Sequence, residues 1–171
     1  MESALLLIEQ IIREHGTYLE KLETMERVTN DAEALYSLKQ SQEEFVPGRL
    51  DQKAILEKLK ELVGLVSEGL EAHFEREETA LVTAFKKAGD AKLIAAFNTL
   101  LLEHKDLRDR FALTRERLRH LAGGEMSRHI WEASAHDMRA HINHTRKLLA
   151  AHAGVEEELL GDLRRLLSGG R

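Results

Sequence analysis

The chain has 171 residues, no cysteine and a single proline, with a net charge of −5 and a pI near 6.0. That length suffices for one domain with a real core, the charge leaves no electrostatic footprint for nucleic acid, and the missing cysteine excludes disulfides, thiolate metal sites and thiol catalysis. Charged residues at 32% with aromatic residues at only 5% suit a bundle of long helices better than a sheet protein.

Met1-Glu2-Ser3 offers no basic segment ahead of the first apolar run, so it does not read as a signal peptide. No apolar stretch approaches the roughly 18 residues that span a bilayer. A cytoplasmic protein is therefore expected. Helix 1 is predicted to start at Ser3 as its N-cap and to run as far as Lys39, with Ile8, Ile11, Ile12, His15, Leu19 and Leu22 at spacings of three and four. The polar stretch from Gln40 to Arg49, with Pro47-Gly48 inside it, breaks the pattern. Helix 2 is predicted from about Asp51 to Ala88, with Leu59, Leu62, Val63, Val66, Leu70, His73, Glu77, Leu81 and Ala84 on one face. Gly89-Asp90 then stops one helix and caps the next. Helix 3 carries Phe97, Leu100, Leu101, His104, Leu107 and Phe111 and is expected to end at Gly123-Gly124. Helix 4 is predicted from about Ser127 to Leu167, with Met138, Leu148, Leu149, His152, Glu156, Leu159 and Leu163 inward. Short connections between helices 2 and 3 and between 3 and 4 make neighbours antiparallel.

Four of the nine histidines thus fall on apolar stripes, one in each helix. At about 1.5 Å of rise per residue, His15 lies roughly 18 Å from the start of helix 1 and His73 roughly 22 Å from the matching end of helix 2. His104 and His152 lie roughly 21 and 23 Å from that same end of the bundle. All four imidazoles therefore share one layer. Glu77 and Glu156 each follow a histidine by four residues and step out of the layer in the same direction, toward each other across the centre. Either His-x-x-x-Glu pair alone is weak evidence, because glutamate is common in this chain. The layer as a whole is not. Six buried polar groups without partners would cost about 1–3 kcal/mol each, a sum that rivals a domain's total stability of about 5–15 kcal/mol. A dinuclear metal site removes the cost.

Among the other histidines, His120, His129 and His136 are expected on solvated faces. His141 shares the azimuth of His152 but sits about 16 Å away along the axis, outside the cluster. Tyr18, one turn beyond His15, is expected to pack, with a donor or redox role at the metal pocket as the alternative. Glu14, Glu78, Glu103 and Glu157 sit one residue from a donor, about 100° off the inward face, and are expected to face solvent. Ferritin-like sites supply Glu-x-x-His pairs, whereas the residues three before the four histidines are Ile12, Leu70, Leu101 and Leu149.

Taken in order, Ile12-Arg13-Glu14-His15, the segment His73 to Glu78, the segment Glu103 to Arg108 and the segment His152 to Glu157 resemble the hemerythrin-like domain, also called the HHE cation-binding domain. The resemblance covers nearly the whole chain. It implies an all-α, up-down-up-down antiparallel four-helix bundle forming a single domain over residues 1–171. It also implies a non-haem di-iron centre, two iron ions under an oxo or hydroxo bridge, with manganese or zinc ranking behind iron. The implied metal ligands are His15, His73, Glu77, His104, His152 and Glu156. His15 and His73 would bind one ion and His104 and His152 the other, with both glutamates bridging. The implied function is binding or sensing dioxygen, nitric oxide or redox state. The alternatives are an enzyme of peroxidase or nitric oxide reductase type and an iron storage or donation protein. No nucleic acid or membrane partner is implied, and a homodimer is compatible. Two departures bear on function. Arg108 stands where oxygen-carrying members have a further imidazole, which argues against reversible carriage. The cysteine-bearing N-terminal segment of members that repair iron–sulfur clusters has no counterpart.

Overall fold

The computed structural model describes residues 2–39, 50–123 and 126–169, with side chains described from 3–29, 53–123 and 126–169. Every element among them is helical: α1 (Glu2–Lys39), α2 (Leu50–Arg76), a π-helical turn (Glu77–Leu81), α3 (Val82–Ala88), α4 (Ala91–Leu101), α5 (Glu103–Ala122) and α6 (Arg128–Gly169). These make four rods: α1, α2 through α3, α4 with α5, and α6. Each rod packs on its chain neighbours, and the first packs on the last, so α1, α2, α5 and α6 close into a helical bundle. No helix among the described residues is long and apolar enough to cross a membrane.

The local signals explain most of the boundaries. Gly89 adopts φ +76°, a left-handed conformation that favours glycine, and its N–H bonds the Phe85 carbonyl. Asp90 caps the next helix by accepting from the Leu93 N–H at 2.8 Å. Ser3, expected as an N-cap, lies instead inside α1, which already begins at Glu2. The expected break around Pro47-Gly48, and Gly124, lie outside the described residues. α6 runs two residues beyond the expected Leu167.

Two irregularities were not predicted. The rod after α2 widens into the π turn, where the Val82 N–H reaches back five residues to the Glu77 carbonyl. Such turns insert a residue into an α-helix without ending it. At Leu102, between α4 and α5, the N–H bonds back three residues to Thr99, tightening the rod by one step. Both irregularities sit beside donor residues, Glu77 in one case and His104 in the other.

The buried apolar residues form two separate clusters. One holds Leu22, Val63, Leu70, Phe74, Phe111, Trp131 and Ile142 among others. The other holds Ile8, Ile11, Leu81, Phe85, Phe97, Leu160 and Leu163 among others. The histidine layer lies between them on every rod: His15 between Ile11 and Leu22, Glu77 between Phe74 and Leu81, His104 between Leu100 and Leu107, and Glu156 between Leu149 and Leu160. Burying apolar side chains is worth about 1.5–3 kcal/mol each, so the two clusters clamp the polar layer from both ends. The α1–α2 approach is close at one point. A Cβ on Gly69 would stand 2.9 Å from Tyr18 Cε1, and the Tyr18 hydroxyl donates to the Gly69 carbonyl at 2.9 Å.

Candidate metal centre

All six expected ligands are buried and brought together. His15 is 4% exposed, the other three histidines 2% or less, and both glutamates 0%. They form two groups whose donor atoms lie within 4.8 Å of one another: His15, His73, Glu77 and Glu156 in the first, Glu77, His104 and His152 in the second. The imidazoles fall into two pairs, His15 with His73 and His104 with His152, and Glu77 belongs to both groups. Glu156 joins only the first.

The inner contacts are made by Nε2 atoms. His15 Nε2 lies 3.0 Å from Glu156 Oε2 and 4.0 Å from Glu77 Oε1. His73 Nε2 lies 2.5 Å from Glu77 Oε1, and His104 Nε2 lies 3.0 Å from Glu77 Oε2. Glu77 therefore presents one oxygen toward each group, the geometry of a bridging carboxylate.

Of the flanking glutamates, Glu78, Glu103 and Glu157 are exposed as expected and Glu14 is half-buried, but all four also bond the outer imidazole nitrogens. Each Nδ1 meets one of them, supplied by the neighbouring rod: His15 to Glu157 at 3.2 Å, His73 to Glu14 at 2.7 Å, His104 to Glu78 at 2.8 Å and His152 to Glu103 at 2.9 Å. A carboxylate only accepts, so each Nδ1 carries the proton and donates. The four contacts run once around the bundle, α1 to α2, the π turn to α5, α5 to α6 and α6 to α1. A rotation of about 100° points these side chains along the seams between rods, within glutamate's reach of the next imidazole. The signal was present in the sequence: Glu14-His15, Glu77-Glu78, Glu103-His104 and Glu156-Glu157 each place a glutamate beside an inward donor.

Two arginines, also missed, hold two of these carboxylates. Arg76 donates to Glu14 at 2.6 Å. Arg108 donates to Glu78 at 2.8 Å and to both oxygens of Glu71 at 3.1 and 2.9 Å. Arg108 thus supplies no donor to the centre; its guanidinium lies 5.1 Å from the centroid of the Phe74 ring, which stacks on His104 at 4.0 Å. Glu103 and Glu157 have no cationic partner other than their histidines among the described residues.

The electrostatics of the layer are uneven. Burial pushes the Glu77 carboxyl up, but the His104 and His73 imidazoles outweigh it and hold the group at about 2. Burial also pushes Glu156 up, and there the single His15 contact does not compensate, with the Glu77 charge adding to the rise. Burial opposes charge on His15 and on His104, yet the carboxylates on both sides of each ring raise them above the usual imidazole range. Burial lowers His152 despite Glu103.

A bound cation fits this donor set. Glu77 Oε1 and Oε2, Glu156 Oε1, His104 Nε2 and His152 Nε2 are buried with no hydrogen-bond partner, although some approach one another closely. Unpaired buried groups cost about 1–3 kcal/mol each. Imidazole nitrogen with carboxylate oxygen is a ligand set for iron, manganese or zinc. Carboxylates on the outer imidazole nitrogens are the usual arrangement behind metal-bound histidine, fixing tautomer and ring orientation.

The remaining candidates take structural places. His141 Nε2 donates to the Arg110 carbonyl at 3.1 Å, and burial lowers its pKa. Tyr18 sets its ring edge-on to His73 at 5.3 Å while its hydroxyl points away to Gly69, so it packs. His120, His129 and His136 are exposed. No model of a known protein family matches the chain, and neither the curated proteins nor the solved structures contain a match.

Proposed function

We propose that the protein is a non-haem di-iron protein of hemerythrin-like type, an up-down-up-down antiparallel bundle that binds or senses dioxygen, nitric oxide or redox state. One observation carries this reading: a fully buried carboxylate, Glu77, shared between two groups of imidazoles that are each oriented from behind. His15, His73, Glu77 and Glu156 would hold one ion, and Glu77, His104 and His152 the other. Bound iron would supply one-electron chemistry and affinity for diatomic gases. The chain's own residues supply the rest. The outer glutamates keep the Nδ1 protons outward, so that Nε2 is free to ligate. The two apolar clusters exclude bulk water. The second group offers one donor fewer than the first, which leaves more room for an outside ligand on the His104–His152 side.

The preference for iron and for gases rests on the resemblance of the ordered donor set. An enzyme of peroxidase or nitric oxide reductase type would use the same residues. The deciding experiment is the absorption spectrum of anaerobically reduced, iron-loaded protein before and after dioxygen, and separately nitric oxide. A spectral change with either gas supports the reading. No change with both would favour iron storage or a structural metal.

A further inference from the structure

We infer that small uncharged ligands reach the His104–His152 half of the centre through the cleft between α2 and α5, and that Phe74 and Arg108 form its inner wall and set what passes. The purpose of this route rests on the functional reading above; its geometry does not.

The donor layer is closed. His104, His152 and Glu77 are each at most 2% exposed, so nothing enters unless a side chain moves. A cleft of about 290 Å³ lies on the outside, lined by Ser67, Leu70, Glu71, Phe74, Arg108 and Phe111 among others. Phe74 belongs to this lining and also touches the centre: its ring stacks on His104 at 4.0 Å and meets His152 edge-on at 6.2 Å. One aromatic ring therefore separates the cleft from the imidazoles of the three-donor group. Arg108 braces that ring, its guanidinium 5.1 Å from the ring centroid and fixed by Glu71 and Glu78.

The chemistry of the wall selects by charge and size. Glu68 and Glu71 balance Arg108 and Arg115 in the lining, and Glu78 bonded behind Arg108 tips the entrance negative. An anion gains nothing there and would lose its hydration on passing the ring. A diatomic gas, weakly hydrated, loses little. The buried Ser67 Oγ, which has no hydrogen-bond partner, offers a polar contact on the way in. A bulky molecule would have to displace Phe74 and break the Arg108 contacts together.

The test compares Phe74 with Phe85. Phe85 is equally buried and stacked on Phe97 at 4.1 Å, but it belongs to the other apolar cluster and does not line the cleft. The chain has one tryptophan, so a Trp131→Phe background leaves a single tryptophan, excited selectively above the tyrosine band, when Phe74→Trp or Phe85→Trp is added. In the metal-free protein, dioxygen should quench the Phe74→Trp variant several-fold more strongly than the Phe85→Trp variant, and adding Arg108→Ala should increase that quenching further. Equal quenching at the two positions overturns the route. In the ferrous iron-loaded protein, Phe74→Ala should speed nitric oxide association and dissociation by the same several-fold factor, leaving the equilibrium constant unchanged, while Phe85→Ala should change neither rate. A barrier alters both rates together, whereas a damaged site alters the equilibrium. Unchanged rates in Phe74→Ala, or equal acceleration by Phe85→Ala, also overturn it. If the protein takes up no iron, the quenching comparison still decides the route, and only the functional reading fails.

Discussion

The two sides of the centre use the same residue types and differ in how firmly they are held. On one side, His73 and His104 flank Glu77, and their outer carboxylates Glu14 and Glu78 are tied to Arg76 and Arg108. On the other, His15 and His152 lean on Glu157 and Glu103, whose side chains are 46% and 57% exposed and, among the described residues, have no arginine behind them. The inner carboxylates follow the division. Glu77 is held ionised by two imidazoles, while Glu156, with one, is pushed upward by burial. A symmetric sequence pattern, histidine with glutamate on every rod, thus folds into a firmly tied half and a loosely tied half. Its cause is the placement of two arginines.

The largest effect should come from the shared residue. Glu77→Ala removes a donor from both groups and should reduce bound metal to less than one ion per chain. Glu156→Ala should chiefly weaken the ion beside His15 and His73. Elemental analysis of both variants after iron loading distinguishes them, and equal losses would break the asymmetry.

The next effect lies in the outer carboxylates. Losing such a partner costs about 10–100-fold in metal affinity. Glu78→Gln should fall at the high end of that range and Glu103→Gln at the low end, because only Glu78 is tied in place by arginine. Competition against a chelator reads both. Arg108→Gln should weaken the metal less than Glu78→Gln but more than Arg115→Gln.

Rising pH should separate the metal-free from the metal-bound protein. Glu77, held at about 2 against an ordinary 4.5, contributes stability that is present above 4.5 and lost as pH falls toward 2. His15 and His104, raised from 6.5, contribute stability that is complete below 6.5 and lost as pH rises through their folded values. Raised Glu156 and lowered His152 act oppositely, as costs above 4.5 and below 6.5 respectively. The metal-free protein should therefore lose stability on the alkaline side. Metal binding needs imidazoles free of their inner protons, so it strengthens as pH rises. Melting temperatures of metal-free and zinc-loaded protein should diverge from about pH 5.5 to about pH 8. Parallel curves would show that the layer does not ligate through its imidazoles.

The smallest effect concerns Tyr18. Tyr18→Phe removes the bond to the Gly69 carbonyl and should cost about 1 kcal/mol of stability by chemical denaturation. Metal content should not change. A loss of metal would restore the role at the centre that the hydroxyl's direction argues against.

The helical rods and the six inner donors were legible because they depend on periodicity and rise, which local sequence carries. His15, His73, His104 and His152 occupy core positions of their stripes and are buried there. The π turn was not legible, since it changes register by one residue without a glycine or proline to mark it. The outer glutamates were legible in part. Glu78, Glu103 and Glu157 are exposed as their azimuth predicts and Glu14 is half-buried, but that each also bonds a histidine of the neighbouring rod depends on tertiary packing. Arg108 was read as an absent ligand, and only its contacts with Glu71, Glu78 and Phe74 reveal it as a brace.

On the proposed reading, Glu77 would join two metal sites in one chain. Metal analysis combined with Mössbauer and electron paramagnetic resonance spectra of the iron-loaded protein tests it most directly. Two antiferromagnetically coupled irons per chain are expected, with the coupling abolished in Glu77→Ala. Fewer than one iron per chain after loading, or two irons without magnetic coupling, would contradict it.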